Sequence, residues 1–235
     1  MDRPPLIVFD LDGTLADTAP DLIATLNVIL AREDLSPVPV EQANELIGAG
    51  ARALVARGFE LGGRELGPAK ADELYRDFLA HYAEHLCVET RLFPGATEAL
   101  DSLEQDGFRF AVCTNKVEGH SRQLLHALGI AGRFAAICGR DTFAYYKPDP
   151  RHLSLTVEAA GGHPSRAIMV GDSITDIATA KAAHIPVVGV SFGYTDRPVR
   201  ELDPDVVIDR FADLPGAVAA IASSWHARNG GRDRD

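Results

Sequence analysis

Apolar and polar positions divide this chain into two textures. Leu6-Ile7-Val8-Phe9, preceded by Pro4-Pro5 and stopped by Asp10, reads as a buried strand. From Asp17 to Cys87 the pattern is helical. Leu22, Ile23, Leu26, Ile29 and Leu30 recur at helical spacing behind Pro20, a good first-turn residue; Ala71, Leu74, Tyr75, Phe78, Leu79, Tyr82 and Leu86 do the same. No strand-like run interrupts that stretch. After Phe93-Pro94-Gly95 the texture alternates. A helix with Ala96, Ala99, Leu100 and Leu103 precedes a strand, Arg109–Cys113, and a helix with Leu124, Leu125 and Leu128 precedes a strand, Ala135–Cys138. A helix with Leu153 and Val157 leads to Ala167–Val170, and one with Ile177, Ala178 and Ala182 leads to Val187–Val190. Val206–Ile208 reads as a last strand and Leu214–Ile221 as a last helix.

This alternation predicts an α/β fold, a doubly wound parallel sheet (a Rossmann-like core) with helices on both faces. The helical block then becomes a cap inserted after the first strand. The expected division is 1–16 and 92–227 for the core, 17–91 for the cap, and 228–235 for a frayed tail of glycine and charge.

Composition narrows the class. A length of 235 residues suits one large domain or one domain with an insertion. With 46% apolar and 24% charged residues the chain is too apolar to be disordered. A net charge of −11 argues against general binding to nucleic acid or to an anionic membrane. An anionic small molecule would need local cations or a metal. Cys87, Cys113 and Cys138 form no CxxC pair, so reduced thiols are expected rather than a disulfide framework. No apolar run approaches the ~18 residues of a membrane span, and the first run is too short for a signal-peptide core. A cytoplasmic protein is expected.

In doubly wound sheets ligands bind at the carboxyl ends of strands. The first strand ends in Asp10-Leu11-Asp12-Gly13-Thr14, with Asp10 and Asp12 on one side if strand geometry continues. Two carboxylates that close repel unless a cation or proton sits with them, and Gly13 lets the backbone turn after them. A solvated turn accounts for the same residues. The second strand ends in Thr114-Asn115-Lys116, whose hydroxyl, amide and ammonium suit phosphate oxygens; an N-cap with a solvated lysine is the plainer reading. Lys147-Pro148-Asp149-Pro150 supplies a second candidate cation in a stiff segment that starts a helix. Gly171-Asp172-Ser173-Ile174-Thr175-Asp176 places two carboxylates on one helical face, where they also favour the helix dipole. Together these strand ends hold enough oxygen ligands for one hard divalent cation, with donors left for a phosphate.

Phe9-Asp10-Leu11-Asp12-Gly13-Thr14-Leu15, Thr114-Asn115, Lys147-Pro148, and Gly171-Asp172-Ser173 with Asp176 resemble, in order, the four motifs of haloacid dehalogenase-like phosphatases. The resemblance runs from about residue 6 to about residue 210. It implies Asp10 as nucleophile, Asp12 as general acid and base, Thr114 on phosphate and Lys147 as charge neutraliser. It implies Mg²⁺ on Asp10, Asp172 and the Asp12 backbone carbonyl, with Asp176 holding a metal-bound water, and a helical cap where helices are predicted. A carboxylate is a feasible nucleophile toward phosphorus once a cation shields the phosphoryl charge.

Three competing motifs lack their context. Gly189-Val190-Ser191-Phe192-Gly193 fits a nucleophile elbow, but Thr195-Asp196-Arg197-Pro198 predicts a turn after it, not a helix. His81 and His85 fit an inverted zinc-protease pattern, on the wet side of a helix with a core stripe. Gly48-Ala49-Gly50-Ala51-Arg52-Ala53 fits a dinucleotide fingerprint but follows a helical run, so a hinge between cap helices is expected. A non-catalytic phosphate-binding module would not need a second carboxylate facing a phosphate. Related dehalogenases lack an aspartate at the Asp12 position, and a phosphonate hydrolase of the family uses a cap lysine, where this cap has only Lys70. Sugar phosphomutases and pyrophosphatases of the family remain alternatives. Leu46-Ile47-Gly48-Ala49-Gly50, Phe93-Pro94-Gly95 and Thr114-Asn115-Lys116 look most like phosphoglycolate phosphatases. A small phosphorylated metabolite is therefore the expected substrate, bound by Thr114, Asn115, Gly48, Gly50 and Arg52. Monomer and homodimer both stay open.

Overall fold

The structure is a computed structural model that describes residues 3–42, 46–195 and 197–229. Six strands form one parallel sheet: β1 (Leu6–Phe9), β4 (Arg109–Cys113), β5 (Phe134–Cys138), β6 (Ala167–Gly171), β7 (Val187–Val190) and β8 (Val206–Ile208). Their order is β5-β4-β1-β6-β7-β8. Central β1 pairs on both sides, with Phe9 opposite Val112 of β4 and Val170 of β6. All four of its residues are buried, which explains an unbroken apolar run where alternation would mark a half-exposed strand.

Side-chain alternation splits β1 between two cores. Ile7 and Phe9 join the face that also buries α4 (Ala96–Gln105), α5 (Glu118–Ala127) and α8 (Leu214–Asn229). Leu6 and Val8 face the opposite way, toward α6 (Pro150–Ala159) and α7 (Ile174–Ala182). The sheet is thus wound on both faces, as the alternating texture predicts.

Three helices lie between β1 and α4: α1 (Ala19–Arg32), α2 (Ala51–Leu61) and α3 (Pro68–His85). The predicted stripe of α1, Leu22 to Leu30, is buried, and α3 buries Leu74, Phe78 and Tyr82. The three pack on one another and share a continuous apolar cluster with one face of the sheet. The chain leaves for these helices and returns through an antiparallel ribbon, β2 (Ala16–Asp17) against β3 (Arg91–Leu92). The sequence pattern does not predict this ribbon, because two-residue strands carry no readable period. Asp21, buried beside it, accepts hydrogen bonds from the amides of Val88, Glu89 and Thr90 and from the Thr90 hydroxyl at 2.7–3.1 Å. That carboxylate fastens the start of the insertion to its end.

One boundary is corrected. The last helix does not stop at Ile221; α8 runs to Asn229 and takes in the first residues of the predicted tail. Trp225 anchors it, buried with its ring 6.5 Å from that of Phe108. The rest of the predicted tail, 230–235, lies outside the described residues.

Candidate active site

The strand order reverses direction at β1 and β6, which opens a crevice at their carboxyl ends. Asp10 follows β1 directly, its amide bonded to the Val170 carbonyl at 2.9 Å, and Asp172 follows β6. Gly13, at φ 81°, turns the first loop so closely against the second that a Cβ there would meet Asp172 Oδ2 at 2.5 Å. Asp172 is held from both sides: Thr14 Oγ1 donates to Oδ1 at 2.6 Å and the Tyr194 amide to Oδ2 at 2.7 Å.

Asp176 has two tasks. Its Oδ2 accepts from the amide and hydroxyl of Ser173 at 3.0 and 2.6 Å, in a capping box that starts α7. Its Oδ1 accepts from Lys147 Nζ at 2.6 Å. The same ammonium lies 3.0 Å from Asp10 Oδ1 and is 1% exposed. Oxygens of Asp10, Asp172 and Asp176 all lie within 4.8 Å of one another, the one such cluster of potential metal ligands among the described residues.

Burial sets the protonation of this cluster. It pushes the Asp10 carboxyl up to about 7; Lys147 pulls the other way, and the charges of Asp176 and Asp12 add to the rise. Asp172 is raised well above the carboxylate range by burial and then by Asp176 and Asp10. Burial alone would lower Lys147, but Asp10 and Asp176 outweigh it and hold the ammonium above its ordinary value. Four carboxylates, Asp10, Asp12, Asp172 and Asp176, face two ammonium groups, Lys147 and Lys116. Their formal surplus of two negative charges is that of one divalent cation. Hard oxygen donors, mutual proximity and raised carboxyl pKa values all fit such an ion.

The Asp12 carboxylate is not part of the cluster. Lys116 Nζ donates to its Oδ1 and Oδ2 at 2.9 and 3.2 Å and reaches the Tyr82 hydroxyl of α3 at 2.9 Å. The solvated lysine of the plainer sequence reading is thus replaced by a buried one whose side chain is 5% exposed. The signal for it was the ammonium two residues beyond Thr114, but its partners became visible only in three dimensions.

A cavity lies over these groups. Asp10, Asp12, Thr114, Asn115 and Lys116 line one wall; Leu22, Leu54, Phe78 and Tyr82 line the other, with Gly48 and Gly50 at the start of α2. Thr114 accepts from the Lys116 amide at 3.2 Å, which leaves its hydroxyl proton for a ligand. Asn115 donates to the Lys147 carbonyl at 3.1 Å, and its buried Oδ1 has no hydrogen-bond partner. Arg52 is not brought to this cavity. It pairs with Asp72 and stacks 5.1 Å over Tyr75, half exposed. Successive helical residues point ~100° apart, so Ala51 and Leu54 face the cavity while Arg52 faces α3.

The competing motifs resolve structurally. A turn follows β7 and Ser191 donates to Asp209 at 2.6 Å, so no elbow forms. His85 Nδ1 lies 2.9 Å from the His81 carbonyl, and the two rings stack at 4.3 Å. All three cysteines are free.

Residues 7–190 match the family model described as haloacid dehalogenase-like hydrolase. The chain is 51% identical over 214 residues to a phosphoglycolate phosphatase of Agrobacterium fabrum, covering 91% of this chain and 92% of that one. It is 51% identical over 210 residues to a phosphoglycolate phosphatase of Mesorhizobium japonicum, covering 89% and 92%. Its fold matches the crystal structure of a predicted phosphoglycolate phosphatase from Haemophilus somnus with a TM-score of 0.84 at 33% identity, over 92% of this chain and 99% of that one.

Proposed function

This chain belongs to the haloacid dehalogenase-like hydrolase family, and from that premise we propose that it hydrolyses 2-phosphoglycolate through an aspartyl-phosphate on Asp10. The observation that carries the reading is the partition of its two neighbouring carboxylates. Asp10 is paired with Lys147 in the acidic cluster, whereas Asp12 is paired with Lys116 at the cavity wall. A phosphate-binding module needs neither arrangement; a two-step phosphoryl transfer needs both.

Asp10 attacks phosphorus, so that its carboxylate–phosphorus bond forms as the ester bond breaks. Asp12, in its protonated form, gives its proton to the leaving oxygen. Water then attacks the aspartyl-phosphate, Asp12 takes its proton, phosphate leaves and Asp10 is restored. Thr114 and Asn115 hold phosphoryl oxygens from the end of β4, and Lys147 balances charge on the transferring group. Asp10 and Asp172, with the Asp12 backbone carbonyl, would hold Mg²⁺, with Asp176 beside it to orient a bound water. When bound, that ion shields the phosphoryl group from the nucleophile's charge.

Helices α1–α3 serve as the cap. Gly50, at φ 88°, precedes α2, and its backbone lines the cavity opposite Asp10. Amides at that helix start favour an anionic ligand, and closure of the cap excludes water. The reading places the enzyme in the cytoplasm, as monomer or homodimer, acting on a small metabolite. No helix among the described residues is long and apolar enough to cross a membrane.

Phosphate release from a panel of small phosphomonoesters, with Mg²⁺ and with chelator, tests this function. 2-Phosphoglycolate is expected to be the best substrate, and activity is expected to vanish in chelator and return with Mg²⁺. Asp10→Asn is expected to lose at least ~10³-fold in turnover; a loss within about tenfold, ~1.4 kcal/mol, excludes covalent catalysis by Asp10.

A further inference from the structure

The substrate's own geometry makes a demand on the cavity. In 2-phosphoglycolate a single methylene separates the ester oxygen from the carboxylate. The group that protonates that oxygen must therefore have the reader of the carboxylate as its neighbour. Asp12 is the proposed proton donor, and its neighbour is Lys116 at 2.9 Å.

Lys116 suits that second task. It is the one lysine or arginine among the described residues that line the cavity. An ammonium has three donors. Asp12 engages Nζ from the core and the Tyr82 hydroxyl engages it from α3, while the Tyr82 ring lies with its centroid 4.4 Å away. These contacts fix a long side chain before any ligand arrives, so little rotamer freedom is left to lose. Asp12 faces the ammonium as its counter-charge at 2.9 Å. His120, on the same wall, has its pKa lowered by burial and then by Lys116. Arg52, the cation expected from the sequence, is engaged elsewhere.

We propose that Lys116 is the specificity-determining residue: it binds the substrate's carboxylate and selects phosphomonoesters with a carboxylate one carbon from the ester oxygen. This rests on the 2-phosphoglycolate reading given above. It predicts a contact that Tyr82 completes from the cap, so that the carboxylate is read where cap and core meet.

The test compares 2-phosphoglycolate with ethyl phosphate, which has a methyl group in place of the carboxylate. Wild-type enzyme is measured first and is expected to favour 2-phosphoglycolate; absence of that preference overturns the substrate reading itself, before any variant is made. Lys116→Met is then expected to lose about 100-fold in kcat/KM on 2-phosphoglycolate, mainly through KM, and at most about tenfold on ethyl phosphate. Lys116→Gln keeps an amide donor on a side chain one atom shorter and loses the charge, so it separates the same two outcomes if the methionine variant does not fold. Equal losses on both substrates in a folded variant would show that Lys116 only orients Asp12, and would overturn the proposal.

Discussion

Removal of the proposed nucleophile should stabilise the metal-free protein. The reason is the burial of Asp10 against Asp172 and Asp176, with Lys147 shared among them. Its carboxyl is raised from an ordinary 3.8 to about 7. Between those values the folded state keeps a proton that the unfolded chain has released. Stability therefore falls as pH rises from 3.8 through 7 and levels off above. At about 1.36 kcal/mol per pH unit, the raised pKa of Asp10 costs about 2 kcal/mol of stability at pH 5 and about 4 kcal/mol at pH 8. Asp10→Asn replaces it with a neutral isostere, and Lys147 keeps Asp176 as partner at 2.6 Å. In chelator, urea unfolding followed by circular dichroism is expected to show the variant more stable than wild type, by an amount that grows by about 2 kcal/mol between pH 5 and pH 8. Mg²⁺ is expected to narrow the gap at pH 8, because it binds the folded wild type more tightly than the variant. A variant less stable than wild type at pH 8, or a gap independent of pH, refutes the claim that the cluster holds unbalanced charge.

Two further substitutions probe how the site is held. Gly171→Ala places a Cβ 2.5 Å from Asp176 Cγ and 2.8 Å from its Oδ2, and both oxygens of that carboxylate are already committed to Ser173 and Lys147. Overpacking of this kind costs ~1–3 kcal/mol; unfolding curves should show that loss together with a fall in turnover of at least ~10-fold. Asp21→Ala leaves the amides of Val88, Glu89 and Thr90 without their acceptor. A loss of ~2–4 kcal/mol is expected, visible as a drop in Tm of roughly 5–15 °C.

The sheet was legible because its strands are short, apolar and separated by helical stripes. Leu6–Phe9 is buried on both faces, and that condition writes itself into composition without help from distant residues. The ribbon at Ala16–Asp17 and Arg91–Leu92 was not legible, since its pairing depends on where α1 to α3 return the chain. The end of α8 is hidden for a related reason. Beyond Ile221 one large apolar residue, Trp225, holds the helix against Phe108, and one residue makes no periodicity. The acidic cluster was legible because topology brings strand ends together whatever the loops do. Asp10 and Asp172 follow strands adjacent in the sheet, and the capping box that positions Asp176 is local in sequence. Arg52 departs from expectation because closeness in sequence to Gly50 says nothing about which side of α2 a residue occupies.

Lys116 shows what kind of information a strand-end reading lacks. Its role depends on Tyr82, which reaches it from α3, and on Asp12, whose carboxylate turns away from the acidic cluster toward the cavity. Either partner alone would be consistent with a solvated lysine. Together they bury the ammonium and connect the helical insertion to the carboxylate proposed to move the proton. The same geometry separates the two halves of the chemistry. Lys147 belongs to Asp10 and Asp176 in the acidic cluster, and Lys116 belongs to Asp12 at the cavity wall, on the side proposed for the leaving group. Two ammonium groups placed this way let neighbouring carboxylates two residues apart take different tasks. One, the proposed nucleophile, is buried in a charge-dense cluster, and the other, the proposed proton donor, stays at the cavity wall.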